Sequence, residues 1–269
     1  MPICRNGLDW RGLLRPLGVD PQRAGARARI AARITIGMAL AHGVGLPLRI
    51  DLLNERRIAR SLRCGSVVAD EVFDEVFPPA VRARSSLYWT PVEVAVRAAN
   101  LLANKAGATI LDIGSGVGKF CIVACAAVNA KVHGIEHRPH LVDISREAAA
   151  KLGVAATFDG GTIEEQDAAS IDGFYLFNPF AENMCMTEER LDATVELSAK
   201  RFDRDVDATE LLLSKARVGA RVVTYCGFGG DMPEGFVLAA REWSGGGKLE
   251  LWVKHERSVQ TDEPTSRRP

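Results

Sequence analysis

Between Ile110 and Phe120 the chain reads ILDIGSGVGKF, and this stretch holds the residues best placed for chemistry. A carboxylate, Asp112, is followed by glycines at 114, 116 and 118. Apolar residues lead into Asp112 and a new apolar pattern starts at Phe120. The pattern predicts a buried parallel strand, a tight glycine turn and the first turn of a helix. Glycine lets the backbone take φ > 0 and lets a ligand lie against it. The helix start offers free N–H groups to a polar or anionic ligand group. Two more side chains stand at the ends of apolar runs. Glu136 closes KVHGIE, 24 residues after Asp112, close to the roughly 20-residue offset at which an acidic residue meets a ribose in α/β units. A carboxylate there can accept from both ribose hydroxyls. Asn178 closes GFYLFN and is followed by Pro179 and Phe180. Open parallel sheets bind ligands outside such strand ends, where strand order reverses.

The spacing separates two ligand classes. A dinucleotide fingerprint, G-x-G-x-x-G, needs glycine at its sixth position, and counting from Gly114 that position is Lys119. With Asp112 included, D-x-G-x-G-x-G resembles motif I of the class I methyltransferases that use S-adenosylmethionine. The resemblance implies that Gly114, Ser115, Gly116 and Gly118 wrap the methionine part of that cofactor. It implies that Asp112 lies near the cofactor's cationic amino group and Glu136 on its ribose. Asp159 or Thr162 falls where family members hold the adenine amino group, although Asp159-Gly160-Gly161 also reads as a plain turn. Tyr88-Trp89-Thr90-Pro91 is similar to a Tyr/Phe-x-Thr-Pro element that closes over the methionine end. That makes Thr90 a cofactor-binding candidate and Tyr88 and Trp89 pocket candidates; the alternative is aromatics packing a helix onto the sheet.

Asn178-Pro179-Phe180 resembles the N-P-P-F/Y motif of amino-directed methyltransferases, with one proline in place of two. There the Asn side chain and the following carbonyl accept from the target amine and the aromatic stacks on a base. FNPFAEN, the D-I-G-S-G-V-G turn and the G-I-E strand end are also similar to the non-SET histone lysine methyltransferases. Asn178, Pro179 and Phe180 are therefore the candidate catalytic set, with Asn178 also counted at the cofactor.

Elements to position these groups follow from periodicity. Strands are expected over 109–113, 131–136, 155–158, 173–180 and 220–226. The helices between them are expected over about 119–128, over 139–152, and over 188–218 with a break near 203–207. Two further strands, 236–243 and 248–255, flank Ser244-Gly245-Gly246-Gly247. Class I methyltransferases end in such an antiparallel hairpin. The expected fold is α/β, a Rossmann-like seven-stranded sheet with an antiparallel last strand, over residues 85–259. Before it, helices over 21–43, 51–62 and 67–77 make a small N-terminal helical module over 1–84. Thr90 is expected to cap a helix, with Pro91 at its first position and Glu93 in capping-box position. Residues 260–269 are polar and read as a disordered tail.

The chain is 269 residues long with 34 basic and 34 acidic side chains, the size of one large α/β domain with an added module. The first 63 residues carry twelve Arg against four Asp or Glu. Nucleic acid or an acidic protein surface would suit such a stretch; solvated helix faces paired with the acidic remainder are the simpler reading. If it binds nucleic acid, affinity must fall steeply with salt. The chain lacks a run of about 18 apolar residues, so no membrane span is expected. Six cysteines without a C-x-x-C pair point to reduced thiols in a cytoplasmic protein and to no metal site. The expected activity is S-adenosylmethionine-dependent methyl transfer, most readily to an amine nitrogen of a protein or small molecule. A nucleic-acid N-methyltransferase and a non-catalytic cofactor-binding interaction protein are the alternatives.

Overall fold

The structure is a computed structural model that describes residues 55–66, 68–83, 85–185, 190–191 and 194–256. The expected helix over 21–43, most of the Arg-rich stretch and the expected tail lie outside these residues.

The described chain opens with α1 (Glu55–Arg63), α2 (Asp70–Asp74), α3 (Pro79–Arg82), α4 (Ser85–Tyr88) and α5 (Val92–Leu102). Then strands and helices alternate: β1 (Ala108–Ile113), α6 (Lys119–Ala127), β2 (Ala130–Glu136), α7 (Pro139–Leu152) and β3 (Thr157–Gly160). After two short 3-10 turns come β4 (Gly173–Phe177), a third 3-10 turn (Ala181–Met184), α8 (Ala199–Ser214) and β5 (Arg221–Tyr225). The hairpin β6 (Phe236–Ser244) and β7 (Gly247–Lys254) closes the sheet.

Seven strands form one sheet in the order β3-β2-β1-β4-β5-β7-β6. β1 to β5 are parallel, β7 runs antiparallel between β5 and β6, and the strand order reverses between β1 and β4. The β6–β7 turn is the pair Gly245-Gly246 at φ +54° and +81°. Two left-handed residues match the twist of a tight hairpin, and glycine occupies that region at no steric cost.

α6 explains how the glycine turn is held. Its residues KFCIVACAA are buried on nearly every side, as expected of a helix apolar all round. One side faces the sheet and the other faces α5 and α1. Ile58, Leu62, Phe73 and Phe77 of the segment before α3 are buried in the same core as Ala95, Phe120 and Leu141. The described N-terminal helices therefore share one hydrophobic core with the sheet's α5–α6–α7 face.

Several expectations need correction. The helix over 188–218 is not present over its first part: residues 190–191 and 194–198 are irregular among the described residues, and α8 begins at Ala199. It then runs unbroken through 203–207. Ser198 accepts from the Arg201 amide as its N-cap, and Arg201 Nε pairs with Asp205 one turn on, at 2.6 Å. Asp205, one of the acidic residues that look like a break, thus serves as an i,i+4 partner. β4 stops at Phe177, not 180, because Asn178 turns left-handed at φ +44°. Thr90 does not cap α5. The N-cap is Pro91, and the orphan amide of Val92 donates to Asp70 Oδ1 at 2.9 Å. A carboxylate 22 residues upstream meets the need that a local hydroxyl was expected to meet.

Candidate functional site

The site lies at the carboxyl ends of β1, β2 and β4, across the switch point. Gly114 and Ser115 amides both donate to the carbonyl of Ile135, at 3.0 and 2.9 Å, which draws the turn against the end of β2. Gly114, Gly116 and Gly118 all have positive φ. At Gly114 there is a second reason for glycine: a Cβ would stand 2.7 Å from Pro179 Cβ. The glycine turn and the strand-4 motif are thus in van der Waals contact, and neither can grow toward the other.

Glu136 is buried, and each of its oxygens already accepts one hydrogen bond. Its Oε2 accepts from the Gly116 amide and its Oε1 from the Arg138 amide, both at 3.0 Å. His137 Nδ1 lies 3.3 Å from the same Oε1. A carboxylate has about four lone-pair positions, so two amide bonds leave capacity for ligand hydroxyls. Asp112 is buried beside it and accepts from Cys121 Sγ at 3.3 Å. Burial pushes the Asp112 carboxyl up to about 7, against the pull of the Cys121 hydrogen bond, and the nearby Glu136 charge adds to the rise.

The opposite wall comes from α4 and the residues after it. Thr90 Oγ1 and Tyr175 Oη are 2.9 Å apart, and the Tyr175 ring stacks on Phe120 at 3.7 Å between centroids. The resulting cleft has about 790 Å³ of space including its open mouth. Tyr88, Trp89, Thr90, Asp112, Gly114, Ser115, Gly116, Glu136, Asn178 and Pro179 all line it. Tyr88 and Trp89 are therefore cleft residues.

Three candidates are placed elsewhere. Gly118 does not line the cleft; a Cβ there would stand 2.5 Å from the Phe158 ring and 2.8 Å from Ser145, so this glycine is needed for packing. Phe180 is buried in the core on the other face of the sheet with Leu111, Ile113 and Phe202. Phe177, tilted against Tyr225 at 4.8 Å, joins Tyr175 as a strand-4 aromatic in the cleft. Asp159 has a side chain 69% exposed and faces Arg146 and His133. Strand alternation accounts for this: burying Phe158 sends Asp159 outward. Thr162 does line a second recess beyond Glu136, with His137, Ile163 and Glu164. Burial holds His137 below its ordinary value there, in spite of Glu136.

Sequence reasoning missed Lys119, Arg138, Glu182 and Leu191, all of which line the cleft. Arg138 and Glu182 form a buried ion pair at 2.9 Å, and Glu182 Oε1 accepts from the Leu191 amide at 2.6 Å. The pair ties the end of β2 to the segment after β4. Its members are 44 residues apart, so no local spacing marks them. Among the described residues no group of His, Cys, Asp and Glu is arranged to hold a metal ion. No described helix is long and apolar enough to cross a membrane.

The strand order with its antiparallel penultimate position, the glycine turn and three polar strand-end residues around one cleft now meet a direct comparison. Residues 104–201 match the family described as a methyltransferase domain. Over that stretch the chain is similar to a methyltransferase domain. No curated protein matches the chain. Solved structures that resemble this chain include an RNA methyltransferase from Salinibacter ruber in complex with S-adenosyl-L-homocysteine. It is 23% identical, with a TM-score of 0.48 over 64% of this chain and 97% of that one. TrmN from Thermus thermophilus is 16% identical, with a TM-score of 0.49 over 68% of this chain and 53% of that one. A mutant of MtNAS in complex with S-adenosylmethionine is 16% identical, with a TM-score of 0.47 over 92% of this chain and 83% of that one. Likenesses at this level assign no substrate or partner to this chain.

Proposed function

We propose that this protein transfers a methyl group from S-adenosylmethionine to an amine nitrogen of a protein or a small molecule. The observation that carries the reading is the convergence of Asp112, Glu136 and Asn178 on one cleft across the switch point. Glu136, held rigid by two backbone amides, is suited to accept from a ribose diol. Asp112 is suited to a cationic ammonium. Gly114 and Gly116 leave the turn bare of side chains where an extended ligand would lie. When bound, S-adenosylmethionine supplies a methyl on a sulfonium, which is already a good leaving group. The protein then needs to align the acceptor and exclude water more than to move protons. Asn178 and its neighbours Tyr88, Trp89 and Phe177 provide a polar acceptor group within aromatic walls. The free thiols at Cys64, Cys121, Cys125, Cys185 and Cys226 suit a reducing cytoplasm.

The test is transfer of labelled methyl from S-adenosylmethionine into fractionated lysate, with label scored in protein, small-molecule and nucleic-acid fractions. Label on nitrogen in protein or small molecules supports the reading. Label confined to nucleic acid overturns the acceptor assignment, and cofactor binding without any transfer overturns the enzyme assignment.

The raised value of Asp112 adds a pH prediction. A cation beside Asp112 favours its ionised form. Cofactor binding should therefore release protons near neutral pH. Affinity should fall as pH drops below about 7, by up to roughly tenfold per unit. Asp112→Asn should flatten that slope. Calorimetry from about pH 5.5 to about 8.5 checks both. In the ligand-free protein the sign for stability is opposite to that of an ion-paired carboxylate. The contribution of Asp112 is intact below its ordinary value of 3.8 and is lost as pH rises through about 7.

A further inference from the structure

Lys119 occupies the position where a dinucleotide turn would have glycine, and it is only 4% exposed. A lysine is almost never buried without a partner. Here Nζ lies 2.5 Å from Asp70 Oδ1 and 2.6 Å from Asp74 Oδ1. It also sits 5.7 Å from the Phe73 ring centre and 5.8 Å from that of Trp89, within reach of both π faces. Asp70 has a second task, because the same Oδ1 accepts from the Val92 amide at the start of α5. One carboxylate thus grips both helices that flank the cleft: α6, which follows the glycine turn, and α5, which follows Tyr88-Trp89-Thr90. Lys119 and Trp89 belong at once to the cleft and to a wider outer groove beside α2, so they form the wall between the two.

We propose that Asp70, Lys119 and Asp74 form an ionic latch that positions the Tyr88–Thr90 wall across the cofactor cleft. The proposal rests on reading that cleft as the cofactor site. Lys119 acts here as a positioning residue, through the wall and not through contact with the reacting atoms. The chain of contacts is continuous. The latch fixes the start of α5, Thr90 then reaches Tyr175 at 2.9 Å, and Tyr175 stacks on Phe120, the residue after Lys119. Without the latch, the wall keeps its residues but loses the tie that fixes its distance from the glycine turn. Burial of Asp74 raises its carboxyl above the ordinary 3.8 despite Lys119, whereas Asp70 is 40% exposed, so the latch has one dry arm and one arm open to the outer groove.

The experiment measures binding of S-adenosylmethionine and S-adenosylhomocysteine by calorimetry to the full chain, with circular dichroism as a check on folding. The variants are Lys119→Met, Thr90→Val and the double variant. If the wild-type protein binds neither ligand, the cofactor-site reading itself fails. If it binds, Lys119→Met should weaken both ligands to the same degree, by roughly tenfold or more. The double variant should then be little worse than the worse single one, because both changes loosen the same wall. Affinity within twofold of wild type in folded Lys119→Met overturns the latch. So does a loss confined to the sulfonium ligand, which would make the triad a charge acting on the cofactor. If Lys119→Met does not fold, Asp70→Asn carries the same test, since its amide oxygen still accepts from Val92 while its charge for Lys119 is gone.

Discussion

Replacing Glu136 with alanine is expected to weaken S-adenosylhomocysteine binding by about a hundredfold to ten-thousandfold. That range follows from losing two charge-assisted hydrogen bonds at about 1.5–3 kcal/mol each. The side chain stands at the end of β2, where the parallel sheet opens its cleft, and its carboxylate is already oriented. Gly116 and Arg138 amides hold one oxygen each at 3.0 Å, so a ligand diol would find a preorganised acceptor. The same two bonds tie the glycine turn to β2, and alanine also releases the turn. Glu136→Gln separates the effects in part. Its amide keeps the shape and one acceptor, but its NH₂ must face one of the two backbone amides, donor against donor. Glutamine should therefore recover only part of the loss. Calorimetry on both variants, with circular dichroism to confirm the fold, checks this. Unchanged affinity in Glu136→Ala would remove Glu136 from the cofactor site.

The seven-stranded sheet and several groups that gather at its cleft were legible because their signals are local. Asp112 and the alternating glycines sit within seven residues, 112–118, and Glu136 closes a short apolar strand. What was not legible depends on partners far apart in the chain. The amide of Val92 is satisfied by Asp70, so a local capping box was predicted where a tertiary contact does the task. Arg138 and Glu182, 44 residues apart, carry no local sign of the buried pair that the fold makes of them. Alternation misled in a different way. Asp159 and Phe180 are in plausible sequence positions, yet the pleat turns Asp159 to solvent, and the left-handed turn at Asn178 ends β4 before Phe180, which packs into the core. A strand end assigned one or two residues off reverses which side chain meets the ligand. Lys119 was read only for the glycine it replaces, because a single sequence gives no sign that a lysine is buried.

Asn178 should govern turnover and leave cofactor affinity within a few fold. Its position supports that division of labour. It follows β4 on the far side of the switch point from Glu136, it lines the cleft, and its backbone is fixed at both ends. Its amide donates to Gly227 at 3.0 Å and its carbonyl accepts from Ala181 at 3.2 Å. A neutral amide there can accept from an incoming N–H without a charge that would hold the amine as ammonium. Loss of such alignment is worth several kcal/mol, so Asn178→Ala should lower turnover by orders of magnitude. Alanine alone does not make the case, because Asn178 is left-handed at φ +44°. A β-carbon without a polar side chain costs roughly 1–2 kcal/mol there. Asn178→Gly provides the control: it removes the side chain and relieves the backbone. If the amide aims the acceptor, alanine and glycine variants should be equally slow, while glycine is the more stable of the two on heating. If glycine restores turnover, the residue is only a turn former. If either folded variant no longer binds S-adenosylmethionine, Asn178 belongs to the cofactor and another group must face the amine.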